Sequence, residues 1–380
     1  MDCKLKEKGC GGCPILLMPY EEQLKKKQKY VKKLLGCFAK VQPVKGMEHP
    51  WHYRNKAIST FAEIQGRQLI SGIYASGSHY VLPVDTCLLH HPALDEAIKA
   101  VRKAARECRY RAYDEDKKTG LIRHVLVRHS LKTDELLVVL VTSEKVLPGA
   151  KDFVKRVRQK CPKITTIVQN INPRSTSAVL GFSERVLYGR GFIEDCLGGV
   201  DFRISASSFY QVNPVQTEVL YKTAIEMAAL DGTQSILDAY CGVGTIGLVA
   251  AGHAKSVLGI ERNGQAVKCA VENAKINGIQ NVRFVNADAS DAIQRMAARG
   301  ECVDVVFMDP PRAGSTPQFL AAVNLMAPKK LVYISCNPET QKRDLEILRK
   351  MGWKVRRIQP VDMFPHTDHV ETVVLLERKS

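Results

Sequence analysis

From residue 206 onward, short apolar runs alternate with amphipathic segments, and this alternation restricts the fold more than any other feature of the chain. The runs are SILDAY, SVLGIE, VRFVNA, VDVVFM, LVYIS, VRRIQPV and VETVVLLE, and a helical stretch over 215–230 precedes the first. Apolar strands parted by helices bury both faces of a sheet, so the pattern predicts a parallel, doubly wound α/β domain. In such a sheet the loops beyond the carboxyl ends of neighbouring strands face one crevice. What those loops carry decides the chemistry.

The first loop runs from Asp238 through Tyr240 and Cys241 to Gly242, Gly244, Thr245 and Gly247, spelling G-x-G-x-x-G between a strand and a helix. Those glycines let the backbone approach a ligand at a helix N-terminus. Glu261 ends the second strand, where an acid takes a ribose hydroxyl pair. Asp288 follows the third, placed for an adenine edge. Each acid alone reads equally well as a turn or helix-cap residue; the set, at successive strand ends, does not. Asp238 adds negative charge beside the loop, which repels a pyrophosphate and attracts a sulfonium with an ammonium group. S-adenosylmethionine is favoured over a dinucleotide.

The next three loops carry an acid, a thiol and a second acid. They are Asp309-Pro-Pro-Arg-Ala-Gly, Ser335-Cys-Asn-Pro, and Pro365-His-Thr-Asp-His-Val-Glu, which ends at Glu371. Enzymes that methylate exocyclic amines place an aromatic residue after Asp-Pro-Pro, where this chain has Arg312. Cys336 stands between an apolar strand and a helix, where the macrodipole is expected to favour a thiolate. A pyrimidine C5 is too weak a nucleophile to take a methyl group unaided. Thiolate addition at C6 makes C5 enolate-like, and a base must later remove the C5 proton. Cys336 suits the nucleophile and Glu371 the base, its pKa raised by the valines around it. His366 and His369 read as orienting groups, since no third metal ligand accompanies them.

The remaining sequence bounds the setting. A chain of 380 residues accommodates two domains, and a net charge of +17 favours a polyanionic partner such as nucleic acid. Residues 19–36 read as a lysine-rich amphipathic helix. Residues 51–205 read as an α+β domain with strands AISTFAEI, LISGIYA, LIRHVLVRH, ELLVVLVTS and TTIVQNI and helices over 92–111 and 148–161. Arg54, Lys56, Arg123, His124 and Arg128 are its candidate phosphate contacts. Neither a leader nor a membrane-spanning run is evident at the N-terminus, so a cytoplasmic protein is expected. Nothing demands more than a monomer. Twelve cysteines suit metal binding and catalysis better than disulfides. Cys3, Cys10 and Cys13 form C-x6-C-x2-C in a Gly-rich segment, a candidate metal site with Cys87 as fourth ligand. Zinc and a 4Fe–4S cluster both accept four thiolates.

DAYCGVGTIGL, FMDPPRAG, ISCNP and FPHTDHVETVVLL closely resemble the RNA uridine C5-methyltransferases, over nearly the whole chain. The resemblance implies a Rossmann-like class I S-adenosylmethionine-dependent methyltransferase domain with a seven-stranded sheet, preceded by an α+β central domain carrying an iron–sulfur site. It implies Cys336 as nucleophile and Glu371 as base, with Gln211 (in FYQVN), Tyr240, Thr245, Glu261, Asp288 and Asp309 at the cofactor. The N-terminal cysteines are similar to the 4Fe–4S site of the ribosomal-RNA branch, which implies iron over zinc and 23S ribosomal RNA as substrate, not DNA. Many relatives begin with a small β-barrel RNA-binding domain, whereas this sequence starts at the cysteines, so RNA grip is expected from the central domain. The segments expected are 1–18 (cysteines), 19–50 (a helix that folds back onto the catalytic domain), 51–205 (central domain) and 206–380 (catalytic domain). The competing readings are a transfer-RNA uridine enzyme, a cytosine C5-methyltransferase (which normally has a Pro-Cys pair after Asp-x-Pro, missing here) and a non-catalytic iron–sulfur RNA-binding factor.

Overall fold

A computed structural model describes residues 3–64 and 68–378. The chain folds into two compact units. The first comprises Met1–Pro14, Pro50–Asp195 and Arg203–Ser208, and the second Ile15–His49, Cys196–Phe202 and Phe209–Ser380. The N-terminal boundary thus falls after Pro14 rather than after residue 18. The reason is local: on helix α2 (Tyr20–Leu35), the Gln23 amide donates to the carbonyls of Ile15 at 3.3 Å and Met18 at 2.8 Å, drawing 15–18 into the second unit.

The first unit opens with a short helix, α1 (Lys4–Glu7), and is built on a seven-stranded sheet of order β3-β2-β1-β4-β5-β6-β7. Its strands are β1 (Lys56–Ile64), β2 (Gln68–Tyr74), β3 (Val81–Pro83), β4 (Ile122–His129), β5 (Leu136–Thr142), β6 (Ile164–Ile171) and β7 (Ser183–Tyr188). Helices α3 (Pro92–Glu107) and α4 (Ala150–Lys160) supply Leu94, Val101, Phe153 and Val157 to the core beneath β4 and β5. The sequence pattern finds five of these strands. It misses β3, which is only three residues long, and β7, whose first four residues are exposed and offer no apolar face. A hairpin, β8 (Phe192–Leu197) and β9 (Val200–Ser205), follows.

The second unit holds another seven-stranded sheet, of order β12-β11-β10-β13-β14-β16-β15. After α5 (Pro214–Ala228), strands and helices alternate as β10 (Ser235–Ala239), α6 (Thr245–Ala251), β11 (Ser256–Glu261), α7 (Gly264–Ile276), β12 (Val282–Asn286), α8 (Ala289–Ala298), β13 (Val305–Met308), α9 (Pro317–Met326), β14 (Lys330–Ser335), α10 (Pro338–Lys350), β15 (Trp353–Val361) and β16 (Glu371–Arg378). Val305–Met308 and nearly all of Lys330–Ser335 are buried, as the apolar runs require of central strands. Helices α8, α9 and α10 close one face together with Val31 and Leu35 of α2. Four helix starts have a side-chain cap followed by proline or a good helix former: Asn213-Pro214, Asp288-Ala289, Thr316-Pro317 and Asn337-Pro338.

The expected all-parallel sheet is corrected at one strand. β16 runs antiparallel to both β14 and β15, because β15 returns to it through a loop and not through a crossover helix. That reversal brings the start of β16 to the edge where the parallel strands end.

Candidate active site

At that edge the ladder of β14 and β16 pairs Ser335 with Thr372. The next residues outward are Cys336 on one strand and Glu371 on the other, so the two side chains sit as neighbours across the ladder. Glu371 is 4% exposed, and burial followed by the charge of Asp309 raises its pKa well above the usual carboxylate range. Asp309, just beyond β13, is raised in the same direction by burial. Cys336 is half-buried, and its thiol is pushed up by burial, then by Glu371 and Asp309, with Arg312 opposing. Desolvation and the two acids thus act on the Cys336 thiol in the direction opposite to that expected of the helix end. Tyr221, from α5, completes the cluster. Its hydroxyl lies 2.9 Å from Thr245 Oγ1, and its pKa is raised by burial, Asp309, Asp238 and Glu371.

The glycine loop after β10 is shaped for close approach. Gly244 caps α6 with φ +85°, and a Cβ there would lie 2.9 Å from the Phe284 ring. A Cβ on Gly247 would lie 2.9 Å from Asp238 Oδ2, which instead accepts the Gly247 N–H at 2.9 Å. Asp238 Oδ1 is buried with no hydrogen-bond partner among the described residues, and burial raises the carboxyl to about 7. An orphaned acid beside a bare backbone loop fits a cationic ligand such as S-adenosylmethionine. Glu261 accepts from Gly242 N at 3.1 Å and Asn263 N at 2.7 Å, which fixes it at the loop. Tyr240, with φ +65°, lies 3.2 Å from Ser315 Oγ. Asp288 caps α8 through Oδ1, accepting from Ser290 N at 2.9 Å, so the plain cap role is filled. Gln211 is half-buried, two residues before the Asn213 cap.

The cysteine segment lies in the first unit. All twelve cysteines are free thiols. Burial pushes Cys13 up to about 12, with Cys87, Cys10 and Cys3 adding to the rise and Arg54 opposing it, so the four thiols share one neighbourhood. Among the described residues, however, no three His, Cys, Asp or Glu side chains stand in a metal-holding arrangement. The donor set suits a thiolate-ligated metal in kind, but the described side chains are not arranged as a metal site. Two of the candidate phosphate contacts are used inside the fold instead: buried Arg123 donates to Asn172 O at 3.0 Å, and buried Arg128 donates to Ser208 O.

A profile of the tRNA (uracil-5-)-methyltransferase family matches residues 19–379. The chain belongs to that family. It is 43% identical over 376 residues to an uncharacterized RNA methyltransferase of Halalkalibacterium halodurans, covering 98% of this chain and 82% of the relative. A second uncharacterized RNA methyltransferase, from Caldanaerobacter subterraneus, is 41% identical over 373 residues, with 97% and 82% covered. Among solved structures, the Pyrococcus abyssi tRNA (uracil-54, C5)-methyltransferase in complex with S-adenosyl-L-homocysteine superimposes with a TM-score of 0.80 at 29% identity, covering 97% of this chain and 86% of that one. The protein is an RNA (uracil-5-)-methyltransferase on the S-adenosylmethionine-dependent methyltransferase fold.

Three residues of this methyltransferase's site escape the sequence reading. Asp344 Oδ2 accepts from Ser315 N at 2.8 Å and from the Tyr333 hydroxyl at 2.7 Å, and Arg343 donates to the carbonyls of Ala313 and Ser315, both at 3.0 Å. Together they clamp the loop that begins at Asp309. Gln341 donates to Tyr333 O at 3.1 Å and accepts from the Thr372 hydroxyl at 2.5 Å, next to Glu371. The signal was present: Gln341, Asp344, Leu345 and Leu348 share the buried face of α10, where a polar residue must have a partner.

Proposed function

We propose that the enzyme uses S-adenosylmethionine to methylate C5 of a uridine in 23S ribosomal RNA through a covalent Cys336 adduct, with Glu371 as the base that removes the C5 proton. The observation that carries this reading is the Cys336–Glu371 pair at the β14–β16 ladder end, with Asp309 alongside.

In this mechanism Cys336 gives its proton to solvent, and the thiolate forms a bond to uracil C6 while the 5,6 double-bond electrons move toward the C4 carbonyl. When bound, S-adenosylmethionine would supply an electrophilic methyl group for C5, its S–CH3 bond breaking and the neutral thioether leaving. Glu371, ionised at that stage, takes the C5 proton; the electron pair re-forms the 5,6 double bond and expels the Cys336 thiolate. Gln211, Tyr240, Thr245, Glu261, Asp288 and Asp309 would hold the cofactor, with Asp238 facing its positive charge. Cys3, Cys10, Cys13 and Cys87 would hold a 4Fe–4S cluster, which would supply a rigid, thiolate-linked anchor for a segment with little apolar core of its own.

A net charge of +17 supports an RNA substrate, and the N-terminal cysteine pattern supports the ribosomal class. Transfer RNA is the second reading, favoured by the names of the matched family and of the Pyrococcus abyssi enzyme. Nucleoside mass spectrometry tests both. Protein and S-adenosylmethionine are given unmodified ribosomal RNA and, separately, unmodified transfer RNA. 5-Methyluridine in ribosomal RNA alone is the expected result. The same product in transfer RNA alone overturns the substrate, and no methylated pyrimidine in either overturns the reaction.

A further inference from the structure

Helix α2 stands far from the catalytic motifs in sequence but reaches into the segment that leads to Glu371. Lys27 lies in a run of three lysines, yet it is 2% exposed. Its ammonium donates to Asp362 Oδ1 at 2.6 Å and to Phe364 O at 3.1 Å. The Tyr20 hydroxyl donates to the other oxygen of Asp362 at 2.9 Å. One turn along, fully buried Gln23 accepts the His366 N–H at 2.9 Å, and its amide nitrogen lies 3.1 Å from His366 Nδ1. His366 takes φ +67°, a left-handed conformation that a residue other than glycine holds only when its surroundings enforce it.

All these bonds end on residues 362–366, in the connection between β15 and β16. That connection closes on the rung pairing Val361 with Glu371. A hairpin connection of this length has no turn geometry of its own to set the strand ends, unlike the two-residue turns that do. Here the fixed points come from α2. Burying an ammonium and a carboxylate is costly unless each completes the other, so the Lys27–Asp362 pair ties α2 to the connection even where it adds little net stability.

We propose that α2 is the brace that holds Glu371 in place for removal of the C5 proton, with Lys27 and Gln23 as positioning residues. The proposal rests on the reading of Glu371 as base. Cys336 is anchored by β14 and by the Asn337 cap of α10, a helix that α2 meets through the Tyr30–Glu339 hydrogen bond and not through Gln23 or Lys27. Loosening the brace therefore slows release of product from the covalent adduct without slowing formation of the adduct.

The test uses the full chain with unmodified ribosomal RNA. One variant combines Lys27→Met with Asp362→Asn, so that no lone charge stays buried; a second is Gln23→Leu; a third, Lys27→Arg, keeps the cation. Folding is checked by thermal melting. Three rates are followed: 5-methyluridine formation, accumulation of the protein–RNA adduct on ordinary uridine, and trapping by 5-fluorouridine RNA. In the first two variants turnover falls by roughly 100-fold, KM for RNA holds, the ordinary adduct accumulates, and 5-fluorouridine trapping keeps its wild-type rate. Lys27→Arg recovers part of the turnover. Turnover within about twofold of wild type in a folded Gln23→Leu protein overturns the brace, as does trapping that falls in step with turnover. A wild-type protein that neither methylates nor traps ribosomal RNA or transfer RNA overturns the reading of Cys336 and Glu371, and the brace with it.

Discussion

Asp309 makes Glu371 hold its proton to higher pH than burial alone would, so the two carboxyls titrate as a pair. Glu371 must be ionised to take the C5 proton, so single-turnover kcat should rise with pH along a limb lying above the ordinary carboxylate range. Asp309→Asn removes the negative charge that opposes ionisation of Glu371. The limb should then shift to lower pH, even though the loss of Asp309 lowers the plateau. A limb that stays in place when Asp309 is neutralised would show that burial alone sets the base.

Cys336 and Glu371 should fail at different steps. Cys336→Ala should abolish 5-fluorouridine trapping and cut turnover by at least roughly 10⁴-fold, since a group acting as covalent nucleophile leaves no alternative route. Glu371→Gln should still attack C6 and should accumulate the adduct on ordinary uridine. Denaturing gels of quenched reactions separate the two. Trapping that persists without Cys336 would remove it as the nucleophile, and brisk turnover in Glu371→Gln would remove Glu371 as the base.

The four N-terminal thiols lead to a spectroscopic prediction. Protein purified without oxygen should be brown, with iron and sulfide near four per chain for a 4Fe–4S cluster, and Cys10→Ser should lose the colour. Cys37→Ser, an exposed thiol outside the set, should keep it. A colourless protein that carries zinc would assign the same cysteines to a different metal.

Much of the catalytic half was legible because each signal was local. Gly244 must take a left-handed φ, Cys336 must follow a buried strand, and Glu371 must open one; all three are readable within ten residues. The antiparallel course of β16 was not legible, since an apolar strand looks the same in either direction and only the helix-free connection distinguishes it. Lys27 was hidden for a different reason. It sits among Lys25, Lys26 and Lys29 and pairs with Asp362, more than three hundred residues away, so nothing local separates a buried lysine from its solvated neighbours. Asp344 was masked likewise by Lys342 and Arg343, although its place on the apolar face of α10 required a partner.

Asp238 should make the ligand-free enzyme less stable as pH rises. Its carboxyl is raised from 3.8 to about 7 by burial, so between those values the folded state keeps a proton that the unfolded state releases. Stability from this group is complete below the unfolded pKa and is lost as pH climbs through the folded one, a span of about 4 kcal/mol at most. Asp309 and Glu371, raised in the same direction, add to the slope. Thermal midpoints should therefore fall from pH 5 to pH 8, and Asp238→Asn should flatten the curve. A cationic ligand facing the unpartnered Oδ1 favours the ionised form, so S-adenosylmethionine should stabilise the wild type more at pH 8 than at pH 5. It should do so much less for Asp238→Asn. Equal stabilisation of both proteins at both pH values would mean that Asp238 does not face the cofactor's charge.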